Sequence, residues 1–373
     1  MVKRNFWSDQ IRRTWRKAPI VWLTGVRRSG KTTLCLDFKD ARYVNCDLPR
    51  NAQLLEDPEA FFHSVKEPIV IFDEVHQLPD PSRLLKIGAD AFPRLKILAT
   101  GSSTLAATKK FRDTLTGRKR SVILRPALFD ELPAFYEADL RERLFRGGLP
   151  PALLADTRDP GFYAEWLDSY FARDVQELFH VEKRSGFLRL LEMALRQSGG
   201  LSEATNLALH CGLSRPSVLN YLGVFEITHA VSVIRPYHGG GRREILRQPK
   251  IYGFDTGFVC YANGWNELRE RDCGVLWEHL VLDEILARKP DSKIHFWRDK
   301  QQREIDFVIP VGRGRVDAVE CKWKAETFDP MALTVFRSFY PEGKNFVVTP
   351  QIGAPFQRQI AGLSVDFISP REL

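Results

Sequence analysis

Residues 25–33, "GVRRSGKTT", have the types and spacing of a phosphate-binding loop, G-x-x-x-x-G-K-[ST]. The stretch follows an apolar run, "PIVWLTG", and opens a helical one, which is the context the motif requires. Gly25 and Gly30 let the backbone turn tightly, so that successive amides point inward and, with a helix N-terminus, cradle phosphate oxygens. Lys31 then reaches the β- and γ-phosphates and the Thr32 hydroxyl takes Mg²⁺, with Ser29 and Thr33 completing the loop. Arg27 and Arg28, at the tip, either touch phosphate or stay solvated.

A second stretch, "IVIFDEVHQ", ends a buried strand in an acid pair. Asp73 would hold Mg²⁺ through water and Glu74 would polarise the attacking water as general base. An ATP-hydrolysing site needs both. "ILATGSS" ends another strand, where Ser102, with Thr100 and Ser103 beside it, either orients the lytic water or simply caps the strand. Arg118, in "LTGRKR", suits an arginine finger inserted into a neighbouring subunit's site, or a basic surface for DNA.

A separate chemistry is written in "REIDFVIPVGRGRVDAVECKWK", residues 303–324. Two strands fold about a glycine-rich turn, and strand alternation puts Glu320, Lys322 and Lys324 on one face. A turn centred on Arg313 sets Asp306 opposite Glu320, with Cβ atoms ~5 Å apart. Carboxylates that close repel unless a cation lies between them, so Mg²⁺ held by Asp306 and Glu320 is physically sensible. Lys322 could orient a nucleophilic water or stabilise a charged phosphate, and Glu278 on the preceding helix could complete the site. Cys321 should face the core and Asp317 the opposite side. The competing reading is an edge strand whose alternating charges only prevent edge-to-edge aggregation. Trp297 either stacks on a ligand or is buried under the hairpin.

The elements that must position these groups follow from periodicity. Residues 19–126 alternate apolar strands ("PIVWLTG", "ARYVNC", "PIVIFDE", "LKILATG", "SVILRPA") with helical stretches starting near Lys31, Pro58, Ser82 and Ser103. That is a parallel sheet covered by helices on both faces. Residues 129–195 turn helical and read as a lid, broken at Gly147-Gly148 and Pro150-Pro151. Residues 201–225 read as helix, turn at Gly212 and second helix, with Ser214 as N-cap and Pro216 in the first turn. The hairpin "AVSVIRPY"/"ILRQPKIYGF" completes a winged helix. Its second helix would offer Arg215, Ser217 and Asn220 to a major groove, and its wing Arg242 and Arg243 to phosphates. The alternative is a protein–protein module between the flanking domains.

The 373 residues carry a net charge of +8 and a pI near 9.2, which favours an anionic partner such as nucleic acid. Hydrophobic content is 44% and mean hydropathy −0.26. No apolar run approaches the ~20 residues of a membrane span, and the basic N-terminus lacks the apolar core of a secretory signal. Six cysteines show no metal spacing, so a reducing, cytoplasmic setting and no membrane partner are expected.

The order of phosphate loop, Asp-Glu strand end, "TGSS", "TGR", "GGLP", "PKIYGFDTG" and "WRDKQQREIDF" resembles the predicted AAA+ ATPases of bacteria and archaea. Their C-terminal domain, formerly of unknown function, looks like a PD-(D/E)XK nuclease. The resemblance covers about residues 17 to 365. It implies an α/β protein: a P-loop AAA+ core (residues 1–128), a helical lid (129–185), a winged helix (186–258) and a restriction-endonuclease-like α/β domain (259–373). It also implies ATP and Mg²⁺ as cofactors, a homo-oligomer with a hexamer among its sizes, and duplex or branched DNA as the polymer. Glu278, Asp306, Glu320 and Lys322 match the nuclease pattern of a helical Glu, an Asp and Glu-x-Lys position by position. The leading expectation is an ATPase that moves on or remodels DNA, with a C-terminal domain that binds or cuts it. The alternatives are an ATP-dependent regulatory or defence switch, and an ATP-regulated, Mg²⁺-dependent nuclease.

Overall fold

The computed structural model describes residues 2–101, 105, 109–135, 139–176, 179, 181, 183–238 and 248–373. Strands β1 (Ile20–Thr24) and β3 (Ile69–Asp73) are buried at every position. Such runs, apolar on both faces, demand cover on both sides of a sheet. With β2 (Ala41–Asn45), β4 (Lys96–Thr100) and β5 (Lys119–Ile123) they form one parallel sheet, order β2-β3-β4-β1-β5. All five strands expected from the sequence are present. The order brings the carboxyl ends of β1, β3 and β4 side by side, which is where such sheets bind ligands.

The covering helices are α1 (Asn5–Thr14), α2 (Lys31–Cys35), α3 (Pro49–Leu54), α4 (Pro58–Ser64), α5 (Pro81–Ala91) and α6 (Lys109–Thr114). Asp57 and Asp80 cap α4 and α5, accepting the amides of Ala60 and Arg83, and a proline follows each. Trp22, Phe61, Phe62, Phe72 and Phe111 fill one face of the sheet, and Trp7, Trp15, Leu23 and Phe38 the other.

Next come α7 (Leu140–Arg146), α8 (Pro150–Leu153) and α9 (Pro160–Tyr170), the last widening into a π turn over Phe171–Val175. Then α10 (Arg184–Arg196), α11 (Ala204–Cys211) and α12 (Arg215–Ile227) pack on Phe187, Leu191, Val218 and Phe225. Ser214 Oγ accepts the Ser217 amide at the start of α12, as its sequence position implies.

Strands β6 (Val231–Pro236) and β7 (Lys250–Gly253) form the expected antiparallel hairpin. They do not stand free as a wing. Beyond α13 (Thr256–Ala262) and α14 (Glu270–Arg288), β6 pairs in parallel with β8 (His295–Arg298). The hairpin thus becomes the edge of a mixed eight-stranded sheet, order β12-β13-β11-β10-β9-β8-β6-β7. Its other strands are β9 (Glu304–Gly312), β10 (Arg315–Cys321), β11 (Asn345–Val348), β12 (Phe356–Ile360) and β13 (Leu363–Ile368), with α15 (Met331–Phe339) packed on one face. The boundary expected at 258/259 therefore falls inside α13, between strands of one continuous sheet, because the second edge of β6 finds its hydrogen-bond partners in β8. Among the described residues no helix is long and apolar enough to cross a membrane. All six cysteines are buried and unbridged.

Candidate functional site

The loop after β1 is shaped by two backbone constraints. Gly25 has φ +141, and a Cβ there would stand 2.4 Å from the Leu124 carbonyl oxygen. Gly30, at φ +94, turns the chain into α2. Both are left-handed positions suited to glycine. Lys31 Nζ donates to the carbonyls of Gly25 (3.0 Å) and Val26 (3.1 Å), which holds the ammonium at the loop mouth. Burial lowers its pKa. Ser29 is fully buried and its hydroxyl has no partner among the described residues. Thr32 and Thr33 are exposed on the first turn of α2. An orphaned hydroxyl, a helix N-terminus and a lysine in one loop fit a bound phosphate chain.

Asp73 is buried at the end of β3. One carboxylate oxygen accepts the Thr100 hydroxyl and the other the Tyr43 hydroxyl at 2.7 Å. The Thr100 oxygen also accepts the Glu74 amide at 3.0 Å. Glu74 sits at φ +57, an uncommon left-handed conformation for its type, and its Oε2 lies 3.3 Å from His76 Nδ1. Thr100 therefore fixes both acids at once. The sequence had put Ser102 ahead of it; Ser102 and Ser103 lie outside the described residues. Tyr43 was missed; it stands opposite Ile71, two residues short of the end of β3, and its hydroxyl reaches Asp73. Arg118 directly precedes β5, at the sheet end away from the loop, and grips both Asp90 oxygens (2.5 and 3.0 Å). It does not reach its own chain's phosphate loop.

The loop is also held from outside the sheet. Arg28 pairs with Glu165 at 2.7 Å, Trp166 Nε1 donates to the Arg27 carbonyl at 3.0 Å, and Arg27 lies 3.5 Å from Asp174. Burial raises the Asp174 pKa, opposed by Arg27 and Lys31. From the far side, His229 hydrogen-bonds Thr24, the residue before Gly25, at 3.2 Å. Burial pushes the His229 pKa down to about 3, so the ring is neutral. Glu165 and Trp166 come from α9, Asp174 from the π turn and His229 from the turn between α12 and β6, stretches without a motif of their own, and sequence reasoning did not find them.

The C-terminal hairpin brings the second set together. β9 and β10 pair Asp317 with Ile309 and Val319 with Phe307, and one further step sets Glu320 opposite Asp306. The turn is Arg313-Gly314 with Gly314 at φ +74, and an irregularity at Arg315/Val316 restores the expected register. Asp306 accepts the Cys321 amide at 2.8 Å. Lys322 Nζ lies 2.7 Å from Glu320 and 3.9 Å from Asp306. Glu278, on α14, accepts the Tyr252 hydroxyl at 2.5 Å and Lys250 Nζ at 3.0 Å. Lys250 also contacts Glu304 at 2.5 Å. Burial, with Asp306 adding to it, pushes the Glu320 carboxyl up to about 8 and that of Glu278 up to about 6. Lys250, Tyr252 and Glu304 were not foreseen. Lys324 turns away to Glu270 at 2.8 Å. Cys321 faces the core and Trp297 is buried beside Ile305 and Phe336.

Among the described residues no three His, Cys, Asp or Glu groups stand ready to hold a metal ion. Two carboxylates can nevertheless serve Mg²⁺, which keeps most of its waters. Glu320 Oε1, buried and without a partner among the described residues, is the atom that fits such an ion.

On α12, Arg215 and Asn220 are exposed, whereas the Ser217 hydroxyl is engaged with Ser214 at 2.8 Å in the helix cap. Arg242 and Arg243 lie outside the described residues.

Comparison with known proteins divides the chain in three. Residues 17–133 match the family model described as AAA domain. Residues 137–269 and 273–361 match two domains of unknown function, DUF8612 and DUF4143. Uncharacterized proteins of Mycobacterium tuberculosis and Mycobacterium bovis are each 28% identical over 337 residues, covering 86% of this chain and 74% of the relative. Among solved structures, a Walker-type ATPase of Pyrococcus abyssi is 16% identical, with a TM-score of 0.45, over 70% of this chain and 96% of its own. The AAA-domain match contains the phosphate loop, Asp73, Glu74 and Thr100, and supports an AAA-type ATPase.

Proposed function

We propose that the protein hydrolyses ATP at the loop of residues 25–33 and uses the turnover to act on DNA. The observation that carries the hydrolytic part is the Thr100 hydroxyl, which binds the Asp73 carboxylate and the Glu74 amide together beside the loop. Lys31 would exchange its loop carbonyls for β- and γ-phosphate oxygens, the loop amides and Ser29 would hold the rest, and Glu74 would take the proton of the attacking water. Mg²⁺, held by Thr32 and through water by Asp73, would neutralise phosphate charge. Arg118, turned away from its own loop, is available to a neighbouring subunit of a homo-oligomer.

DNA as the polymer is supported by the +8 charge and by the exposed Arg215 and Asn220 of α12. The cluster of Glu278, Asp306, Glu320 and Lys322 would bind or cut the same polymer. The test is ATP turnover on single-stranded, duplex and branched DNA, with cleavage followed in the same samples with Mg²⁺ or Mn²⁺. A motor accelerates on one of these DNAs. Absence of turnover, alone and with every DNA, ends the ATPase reading.

A second reading is a nucleotide switch without translocation. It is favoured by the ties of the loop to lid and hairpin within one chain, through Glu165, Trp166, Asp174 and His229. ATP turnover indifferent to DNA, with a nucleotide-dependent change in assembly, would select it. Cutting that survives Lys31→Ala and disappears in Asp306→Ala would instead mark an ATP-regulated nuclease.

A further inference from the structure

Lys250 opens β7 with a side chain only 4% exposed. A buried ammonium persists only with carboxylate partners, and it has two, Glu278 Oε1 at 3.0 Å and Glu304 Oε1 at 2.5 Å. Tyr252, two residues along the strand and so on the same face, donates to the same Glu278 oxygen. Arg298 holds the other Glu304 oxygen at 3.1 Å. The Glu278–Glu304 side of the cluster is thus neutralised by the protein's own cations.

The Asp306–Glu320 side differs. Glu320 is 5% exposed; Oε2 takes Lys322, while Oε1 has no partner among the described residues. Asp306 lies opposite across the hairpin, and its one hydrogen bond there comes from the Cys321 amide. Lys322 is 3.9 Å from Asp306, too far to serve both acids equally. A buried, unpartnered carboxylate oxygen on a residue set opposite a second carboxylate is an arrangement a cation completes.

We infer that Lys250 is a resident cation of this cluster, standing where a second divalent ion would otherwise be needed. The cluster then takes one exchangeable divalent ion, between Asp306 and Glu320. Glu278 is a positioning residue that holds Lys250 and Tyr252, and is not a metal ligand. The inference rests on the reading of the cluster as a divalent-cation site, but counting ions requires no cleavage.

Mn²⁺ is the probe, titrated into the full chain without nucleotide and followed by electron paramagnetic resonance. An Asp73→Asn background keeps the phosphate loop out of the count. One ion per chain is expected, and Glu320→Gln should weaken it by about tenfold or more. Lys250→Met should admit a second ion, and Lys250→Arg should keep the count at one. Two ions in the Asp73→Asn parent, none in it, or an unchanged single ion in folded Lys250→Met overturns the inference. Should Lys250→Met fail to fold, Glu278→Gln decides: the ion must remain with its affinity within about twofold, and its loss makes Glu278 a ligand. One ion bound without any DNA cleavage would remove the nuclease reading and leave this one standing.

Discussion

Arg27 of the phosphate loop and Asp174 of the π turn form an ion pair at 3.5 Å on the side of the loop that Lys31 and Glu74 also face. Asp174 therefore sets a carboxyl group beside the cations a triphosphate needs, with Arg27 and Lys31 favouring its charged form against burial. π turns within α-helices are frequent at functional sites, and here one carries the acid to the loop.

Asp174→Asn should bind ATP more tightly. Removing a partly shielded repulsive charge at this range amounts to ~1 kcal/mol, or about fivefold in affinity. Titration with a fluorescent ATP analogue measures it. Weaker binding in the variant would mean that Asp174 serves ATP indirectly, by orienting Arg27.

Thr100→Val keeps the shape of the side chain and removes the hydroxyl that joins Asp73 to the Glu74 amide. Because that bond orients the base and leaves phosphate contacts intact, kcat should fall ~10²-fold with KM changed less than about threefold. Tyr43→Phe, which frees one Asp73 oxygen, should cost kcat only a few-fold. A rise in KM at constant kcat in Thr100→Val would assign the residue to binding instead.

How much of this was legible in the sequence follows from what each group depends on. The loop, Asp73 and Glu74 are local: their spacing is set by a strand end and a turn, and all appear where the motif puts them. The Asp306–Glu320 pairing was legible because a hairpin's register is fixed by its own turn. Thr100 touches β3 because it is the last residue of the neighbouring strand β4, whereas Ser102, ranked ahead of it, lies outside the described residues. Lys250, Tyr252 and Asp174 were illegible. Each reaches its partner through packing between segments distant in sequence, Lys250 through β6 joining β8.

Arg118 makes a prediction about assembly. Its guanidinium is partly exposed, at the far end of the sheet, and paired only with Asp90 among its carboxylate contacts in the described residues. If it completes a neighbour's site, Arg118→Ala and Lys31→Ala subunits, each inactive alone, should regain part of the ATP turnover when mixed. A mixed pair can hold one site with both intact residues. Turnover that stays flat at every mixing ratio would leave Arg118 to the DNA-contact reading.

The last prediction concerns pH. Asp283, on α14 and 3% exposed, lies 3.7 Å from Arg125, just past β5, and beside the buried Arg143 of α7, so three parts of the chain meet on one acid. Burial pushes its carboxyl up to about 7, against the opposing pull of Arg125 and Arg143. Burial also takes the adjacent Glu284 up to about 7. In the unfolded chain both titrate near ~4. Between these values the native state holds more protons on these two acids than the unfolded one, so their contribution to stability must fall as pH rises. The contribution is complete below about pH 4 and lost as pH passes about 7. Scanning fluorimetry of the wild type from about pH 5 to 8 should show a declining Tm. Asp283→Asn, which cannot ionise, should decline less, with the two curves converging or crossing toward the alkaline end. Parallel curves would show that Asp283 is already ionised in the folded protein at about pH 5, with Arg125 or Arg143 outweighing burial.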